Sequence, residues 1–110
     1  MQIFNSKNDN TLVLEVRGRL DALTTANLEE ECDTWINKGE KDLLLDLGGV
    51  DYISSAGLRA ILLIGRKLRA VSGALRFCNL GGMVKEVFSI SGFYSMFPVY
   101  ASLTEALQQN

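Results

Sequence analysis

The sequence predicts an α/β fold: a mixed, mostly parallel sheet with an N-terminal β-hairpin and about four helices, in the order β-β-α-β-α-β-α-β-α. Three observations predict it. Two strand-like segments at the start flank an Asn-rich turn. After them, short apolar runs alternate with stretches whose apolar residues recur every three or four positions. Finally, no linker, repeat or low-complexity segment divides the 110 residues, so the chain reads as a single domain, 1–110. Strands alternating with helices imply right-handed βα crossovers and parallel pairing.

The elements follow in order. Gln2–Ser6 is a short strand and Lys7–Asn10 a polar turn. Thr11–Gly18 alternates Leu12, Leu14 and Val16 against Thr11, Val13, Glu15 and Arg17, a period of two that puts one face on the core. Asp21 and Thr24–Thr25 are start signals for a helix over Thr24–Lys38. Leu28, Cys32, Trp35 and Ile36 form its apolar face, Glu29, Glu30 and Glu31 its solvated side, and Gly39 ends it. Asp42–Leu47 is a buried central strand leading to Gly48–Gly49, read as a tight strand-to-helix turn. Ala56–Val71 is a strongly apolar helix stopped by Gly73. Ala74–Cys78 is a strand followed by a turn at Asn79 and Gly81–Gly82. Met83–Ile90 is a helix ended by Ser91–Gly92. Phe97–Tyr100 is the last strand, and Pro98 places it near an edge. A short helix beginning at Ala101 or Ser102 runs through Leu103, Ala106 and Leu107.

Composition excludes whole classes of chemistry. The chain has no histidine, which removes Ser-His-Asp, Cys-His and His-metal arrangements. The two cysteines, Cys32 and Cys78, have no CxxC spacing and read as small buried apolar residues of a reducing compartment, the cytoplasm. Net charge is −2 with no basic run, so nucleic acid is not an expected partner. The N-terminal MQIFNSKNDN has no signal-peptide pattern, and no apolar stretch is long enough to insert in a membrane. Gly48–Gly49 and Gly81–Gly82 match no nucleotide-binding fingerprint. The expectation is a protein without enzymatic activity, cofactor or metal.

The most informative stretch is Asp42 to Arg69. Ser54–Ser55 stands where a helix begins, so a hydroxyl there caps orphan N–H groups. A phosphate there would meet the positive end of the helix dipole. The helix carries Arg59, Arg66, Lys67 and Arg69 and no acid. Leu58, Ile61, Leu62, Gly65 and Leu68 make one apolar face, and Ala60, Leu63, Ile64 and Val71 widen it beyond a normal stripe. The helix is therefore either almost fully buried or partly a docking surface beside the serines. Asp21 and Asp46 are expected at strand ends near the same turn, as capping and turn-bonding acids.

At these residues the sequence resembles the STAS domains, the fold of bacterial anti-sigma factor antagonists. Asp51-Tyr52-Ile53-Ser54-Ser55-Ala56-Gly57-Leu58-Arg59 is similar to the family signature of an apolar pair, then Asp-Ser-Ser/Thr/Ala-Gly-Leu, then an apolar helix. Gly18-Arg19-Leu20-Asp21 matches the family's Gly-x-Leu-Asp, and Leu43–Asp46 its apolar strand ending in Asp. The resemblance spans essentially the whole chain. It implies that Ser55 is the phosphorylated residue, with Ser54 the alternative acceptor. Ser54 stands where the family usually has Asp, and Ala56 where Ser or Thr is frequent. It implies a partner-binding surface of Asp21, Asp46, Ser54, Ala56, Gly57, Leu58, Arg59 and Leu63. It further implies partner switching: the unmodified protein binds an anti-sigma factor, or a related serine kinase of the GHKL type, and frees that partner's other client; phosphorylation at Ser55 by the kinase releases it, and a PP2C-type phosphatase resets it. The alternative is a constitutive STAS subunit of a lipid-transport type membrane transporter, with Ser55 acting only as a cap.

Overall fold

A computed structural model describes residues 1–109. The elements are β1 (Gln2–Asn8), β2 (Thr11–Leu20), α1 (Thr25–Asn37), β3 (Asp42–Ile53), α2 (Ser55–Ala70), β4 (Ala74–Cys78), α3 (Gly82–Ile90), β5 (Val99–Tyr100) and α4 (Leu103–Leu107). A 3-10 turn, Phe93–Ser95, follows α3 and was not foreseen from the sequence. The sheet runs β1-β2-β3-β4-β5. The first pair is antiparallel and the others parallel. This is the expected α/β order.

Strand alternation sorts the apolar residues onto two faces. Leu12, Leu14, Val16, Leu43, Leu45, Leu47, Leu75 and Phe77 point toward the layer of α1, α2 and α3. They meet Leu28 and Cys32 of α1, Ile61, Ile64 and Leu68 of α2, and Val84 and Phe88 of α3. The opposite face carries a smaller cluster, Val13, Leu44 and Cys78, covered by Ala106 of α4. That is why Val13, assigned to the solvent side by simple alternation, is buried. Arg76 fastens α4 there. Its guanidinium donates to the Ala106 carbonyl at 2.9 Å and the Thr11 hydroxyl at 3.1 Å, and pairs with Asp42 at 3.3 Å.

Several boundaries move, each for a physical reason. β1 continues through Lys7 and Asn8, which pair with Leu12 and Thr11, because only Asp9 and Asn10 are needed to reverse the chain. Asp9 takes the positive φ of 51° that such a tight turn requires. β3 does not end at Leu47. Gly48–Gly49 lies within the strand, where Gly49 pairs with Arg17 beside a register shift. A Cβ on Gly49 would stand 2.6 Å from Arg17 Cγ and 3.1 Å from the Val16 carbonyl, so the glycine permits close strand approach rather than a turn. At the end of α2 the left-handed residue is Ser72, with φ 60°. The Gly73 N–H then closes the helix on the Leu68 carbonyl at 2.7 Å. β5 shrinks to Val99–Tyr100 because Phe97 turns inward, its ring 5.4 Å from Phe77 and 5.6 Å from Phe93. Pro98 still sits at the edge, its carbonyl accepting from the Phe77 N–H at 3.0 Å.

One consequence positions the site. β4 pairs with β3 only as far as Asp46–Cys78, whereas β2 accompanies β3 to Leu20–Ile53. The end of β3 is thus a two-stranded arm reaching past β4, and α2 starts at its tip.

Candidate functional site: the serine turn at the head of helix α2

Two backbone constraints fix the turn. The Ser54 N–H donates to the Leu20 carbonyl at 3.0 Å, tying the turn to the end of β2. Ser54 then leaves the strand with extended backbone (φ −98°, ψ 175°), the geometry of a helix N-cap. Its hydroxyl oxygen accepts from the Gly57 N–H at 3.3 Å. Gly57 is buried, and a Cβ there would lie 2.7 Å from the Leu20 carbonyl and 2.8 Å from Ile53 Cγ1. Helix α2 can begin this close to β2 only with glycine at that position.

The two serines are therefore not equivalent. Ser54 is half-buried and its hydroxyl is engaged in the cap. Ser55 is the first helical residue, is exposed, and has no side-chain hydrogen-bond partner among the described residues. The first turn of α2 holds no acid, so the positive end of its dipole is not offset from within the helix.

Beside the turn stands the Asp21–Thr24 loop. The Leu23 N–H donates to Asp21 Oδ1 at 3.0 Å, and Arg19 Nε lies 3.5 Å from Asp21 Oδ2. The Leu23 N–H, with help from Arg19 and Thr24 and against some desolvation, holds the Asp21 carboxyl below its ordinary range. Thr24 locks the loop: its hydroxyl donates to the Arg19 carbonyl at 2.7 Å and accepts from the Asp21 N–H at 3.0 Å. The Arg19 guanidinium also stacks over the Tyr52 ring at 4.0 Å, across a paired position of β2 and β3. This rigid loop presents Leu23 at 90% exposure.

On α2, Ser55, Arg59 and Leu63 recur every four residues and share one stripe. Arg59 is exposed and Leu63 half-buried. The structure resolves the choice posed by this helix's wide apolar surface. Gly57, Ala60, Ile61, Ile64 and Leu68 are buried, Leu58 and Leu62 pack against the core's margin, and the remaining strip faces solvent.

The structure thus brings together Asp21, Ser54, Ser55, Ala56, Arg59 and Leu63. Three predicted members lie apart from this group or turn away from solvent. Asp46 lies seven residues before Ile53, roughly 20 Å back along an extended strand. There it accepts from the Gly48 N–H at 3.0 Å and Asn79 Nδ2 at 3.1 Å, and so serves the end of β4, not the serine turn. Gly57 is buried, and its role is packing rather than contact; Leu58 is half-buried against the core. Sequence reasoning missed Arg19, Leu23, Thr24 and Tyr52. The available signal was an apolar Leu23 in an otherwise polar loop. The Arg19–Tyr52 pair needed the strand register. No group of three or more His, Cys, Asp or Glu that could hold a metal ion occurs among the described residues.

The STAS domain family model matches residues 3–106. The chain belongs to the STAS domain family. BtrV of Bordetella bronchiseptica, provisionally named an anti-sigma factor antagonist, is 46% identical to this STAS domain over 99 residues, covering 90% of this chain and 85% of BtrV. A Thermotoga maritima protein with the same provisional name superposes with a TM-score of 0.91 at 20% identity, over 97% of this chain and 92% of its own. The anti-sigma factor antagonist SpoIIAA superposes in its unphosphorylated form at 0.83 with 23% identity, over 98% of this chain and 95% of its own. Its phosphorylated Bacillus form does so at 0.76 with 22% identity, over 98% of each. These three superpositions establish the fold, and the sequence match to BtrV establishes kinship.

Proposed function

We propose that this STAS domain is an anti-sigma factor antagonist that works by partner switching, with Ser55 as the phosphorylated residue. One observation carries the assignment. Of the two serines at the head of α2, Ser54 is engaged as the cap and Ser55 is exposed and unengaged. Serine replaces the family's usual Asp at position 54 without loss of capping, since both residues are good N-caps.

The unmodified domain binds an anti-sigma factor through Ser55, the Asp21–Thr24 loop and the Arg59–Leu63 stripe. A GHKL-type serine kinase, which is the anti-sigma factor itself, phosphorylates Ser55, and a PP2C-type phosphatase removes the phosphate. The phosphate adds about −1.5 to −2 charges at neutral pH. At a helix N-terminus it disturbs its own fold little. In an interface it must be desolvated and it repels any facing acid, which ejects the partner. The module acts in the cytoplasm and catalyses nothing itself. Among the described residues no helix is long and apolar enough to cross a membrane.

The test is intact-mass and fragment mass spectrometry of the protein purified from its native cells without phosphatase. A single phosphate on Ser55 is the expected result. A phosphate on Ser54 would keep the switch and overturn the residue assignment. A chain that stays unmodified across growth conditions would favour the constitutive transporter subunit.

A further inference from the structure

Helix α2 has a second functional-looking surface at its other end, about 17 Å from Ser55 by helical rise. Between its C-terminal half and the segment after the 3-10 turn runs an open groove of about 400 Å³. Leu62, Gly65 and Phe97, all half-buried, form its floor, and the exposed Ser95, Met96, Arg66 and Arg69 stand on its rim. Gly65 makes the floor possible: a Cβ there would lie 2.9 Å from the edge of the Phe97 ring. The groove continues toward Gly73 and Pro98 as a second depression of about 150 Å³ that shares Arg69, Met96 and Phe97.

Charge singles this strip out. No acid lines either depression. Neither Arg66 nor Arg69 makes an ion pair among the described residues, and both are exposed. The same helix shows the alternative, because Lys67 is bound to both Asp33 carboxylate oxygens at 2.8 and 3.0 Å. A cation near a helix C-terminus favours the dipole, which accounts for its sign but not for two guanidinia above a bare apolar floor. Met96 is 47% exposed over that floor.

We infer that this groove docks an acidic segment of a partner protein, one that lays an apolar side chain on Met96 and Phe97 and offers carboxylates to Arg66 and Arg69. The shape favours a chain segment over a small anion. Small-ligand sites bury most of the ligand's surface, whereas the two joined depressions run from Leu62 past Arg69 to Gly73 and Pro98, a length that suits a chain segment. Guanidinia match carboxylates in a two-pronged geometry, and an apolar anchor supplies the contact area. The surface is independent of phosphorylation at Ser55, so the two proposals stand or fall separately.

The test pans the full chain against phage-displayed random 12-residue peptides. The best binder is synthesised and mapped by amide shift perturbation on 15N-labelled protein. The expected winners carry paired acids next to a large apolar residue and shift Leu62–Arg69 and Ser95–Pro98. The Arg66→Glu/Arg69→Glu double variant, unchanged in Tm, then binds at least tenfold more weakly, and Met96→Ser weakens binding without altering its salt dependence. Neutral or basic winners, winners indifferent to the charge reversal, or shifts confined to Ser55–Arg59 would overturn the proposal. It would equally fail if no peptide is enriched while pyrophosphate, or vesicles of 70% phosphatidylcholine and 30% phosphatidylglycerol, bind through the two arginines.

Discussion

Two helices of this domain begin with a serine cap, and they are built for different ends. At α4, Ser102 Oγ accepts from the Glu105 N–H at 3.1 Å, and Glu105 Oε2 accepts in return from the Ala101 N–H at 3.2 Å. This is a variant of the capping box, in which the acid reaches back to the residue before the cap and already stands at the positive end of the dipole. At α2, Ser54 makes the same forward bond to Gly57, but the position that holds Glu105 in α4 is glycine, and no acid sits in the first turn. One helix start is chemically complete. The other keeps an uncompensated positive end and an exposed hydroxyl on Ser55. The lesson is that a capping motif and a modification site differ by what is left out, and here the omitted residue is the reciprocal acid.

The largest expected effect separates the two roles of α2. In Ser55→Asp, affinity for the partner anti-sigma factor should fall about 100-fold, worth about 2.7 kcal/mol, while Tm stays within a degree or two of the parent. Isothermal titration and a thermal melt read the two quantities apart. Undiminished affinity would remove Ser55 from the interface. A next test asks whether α2 can be given the acid of α4. Gly57→Glu would complete the box, but its Cβ meets the Leu20 carbonyl and Ile53. Overpacking costs about 1–3 kcal/mol, more than a box returns, so Gly57→Ala and Gly57→Glu should both lower the unfolding free energy measured in urea by an amount in that range. A stabilised Gly57→Glu would show that the acid was withheld for reasons unrelated to packing.

How far such detail was legible depends on whether it is local. The cap at Ser54–Ser55, the Ser102 start and the strand order follow from residue types and spacing along the chain. Burial of both cysteines followed as well: Cys32 and Cys78 are buried, and that burial pushes each thiol up to about 12. What failed depended on partners distant in sequence. Gly48–Gly49 has turn composition, but Arg17 and Val16 on β2 decide its conformation. Phe97 has strand propensity, but the space left by Gly65 on α2 and the rings of Phe77 and Phe93 draw it inward. Asp46 fits a motif, yet the length of β3 carries it away from the serines. Val13 looked solvent-facing until α4 covered it.

The caps themselves give the next measurement. Losing an N-cap hydroxyl costs about 0.5–2 kcal/mol. Ser54→Ala should fall in the upper half of that range, because it leaves a 16-residue helix packed on the core with an unpaired, buried Gly57 N–H. Ser102→Ala should fall at or below the lower end, since α4 has five residues and is also held by Arg76. Equal losses in denaturant unfolding would mean that the two starts are energetically alike, and the contrast drawn above would be one of geometry alone.

The smallest effect concerns an acid beside the incomplete start. Asp21 lies across the turn, joined to it through Leu20, whose carbonyl accepts from Ser54. Its carboxyl is held below the ordinary value of 3.8, chiefly by the Leu23 N–H. A group whose folded pKa is depressed adds stability that is present above its unfolded pKa and is lost as pH falls through the folded one. The domain should therefore lose this contribution only as pH falls below about 4, and Asp21→Asn should flatten that limb by removing the small contribution at pH 7 while leaving stability at the acid end unchanged. Carboxyl-carbon NMR titration gives the direct reading: Asp21 should titrate below 3.8. A midpoint at or above 3.8 would mean that the Leu23 N–H does not hold the carboxylate in solution. The loop that presents Leu23 would then rest on the Thr24 bonds to Arg19 and Asp21 alone, and partner binding would have to fix the position of Leu23 rather than meet it already set.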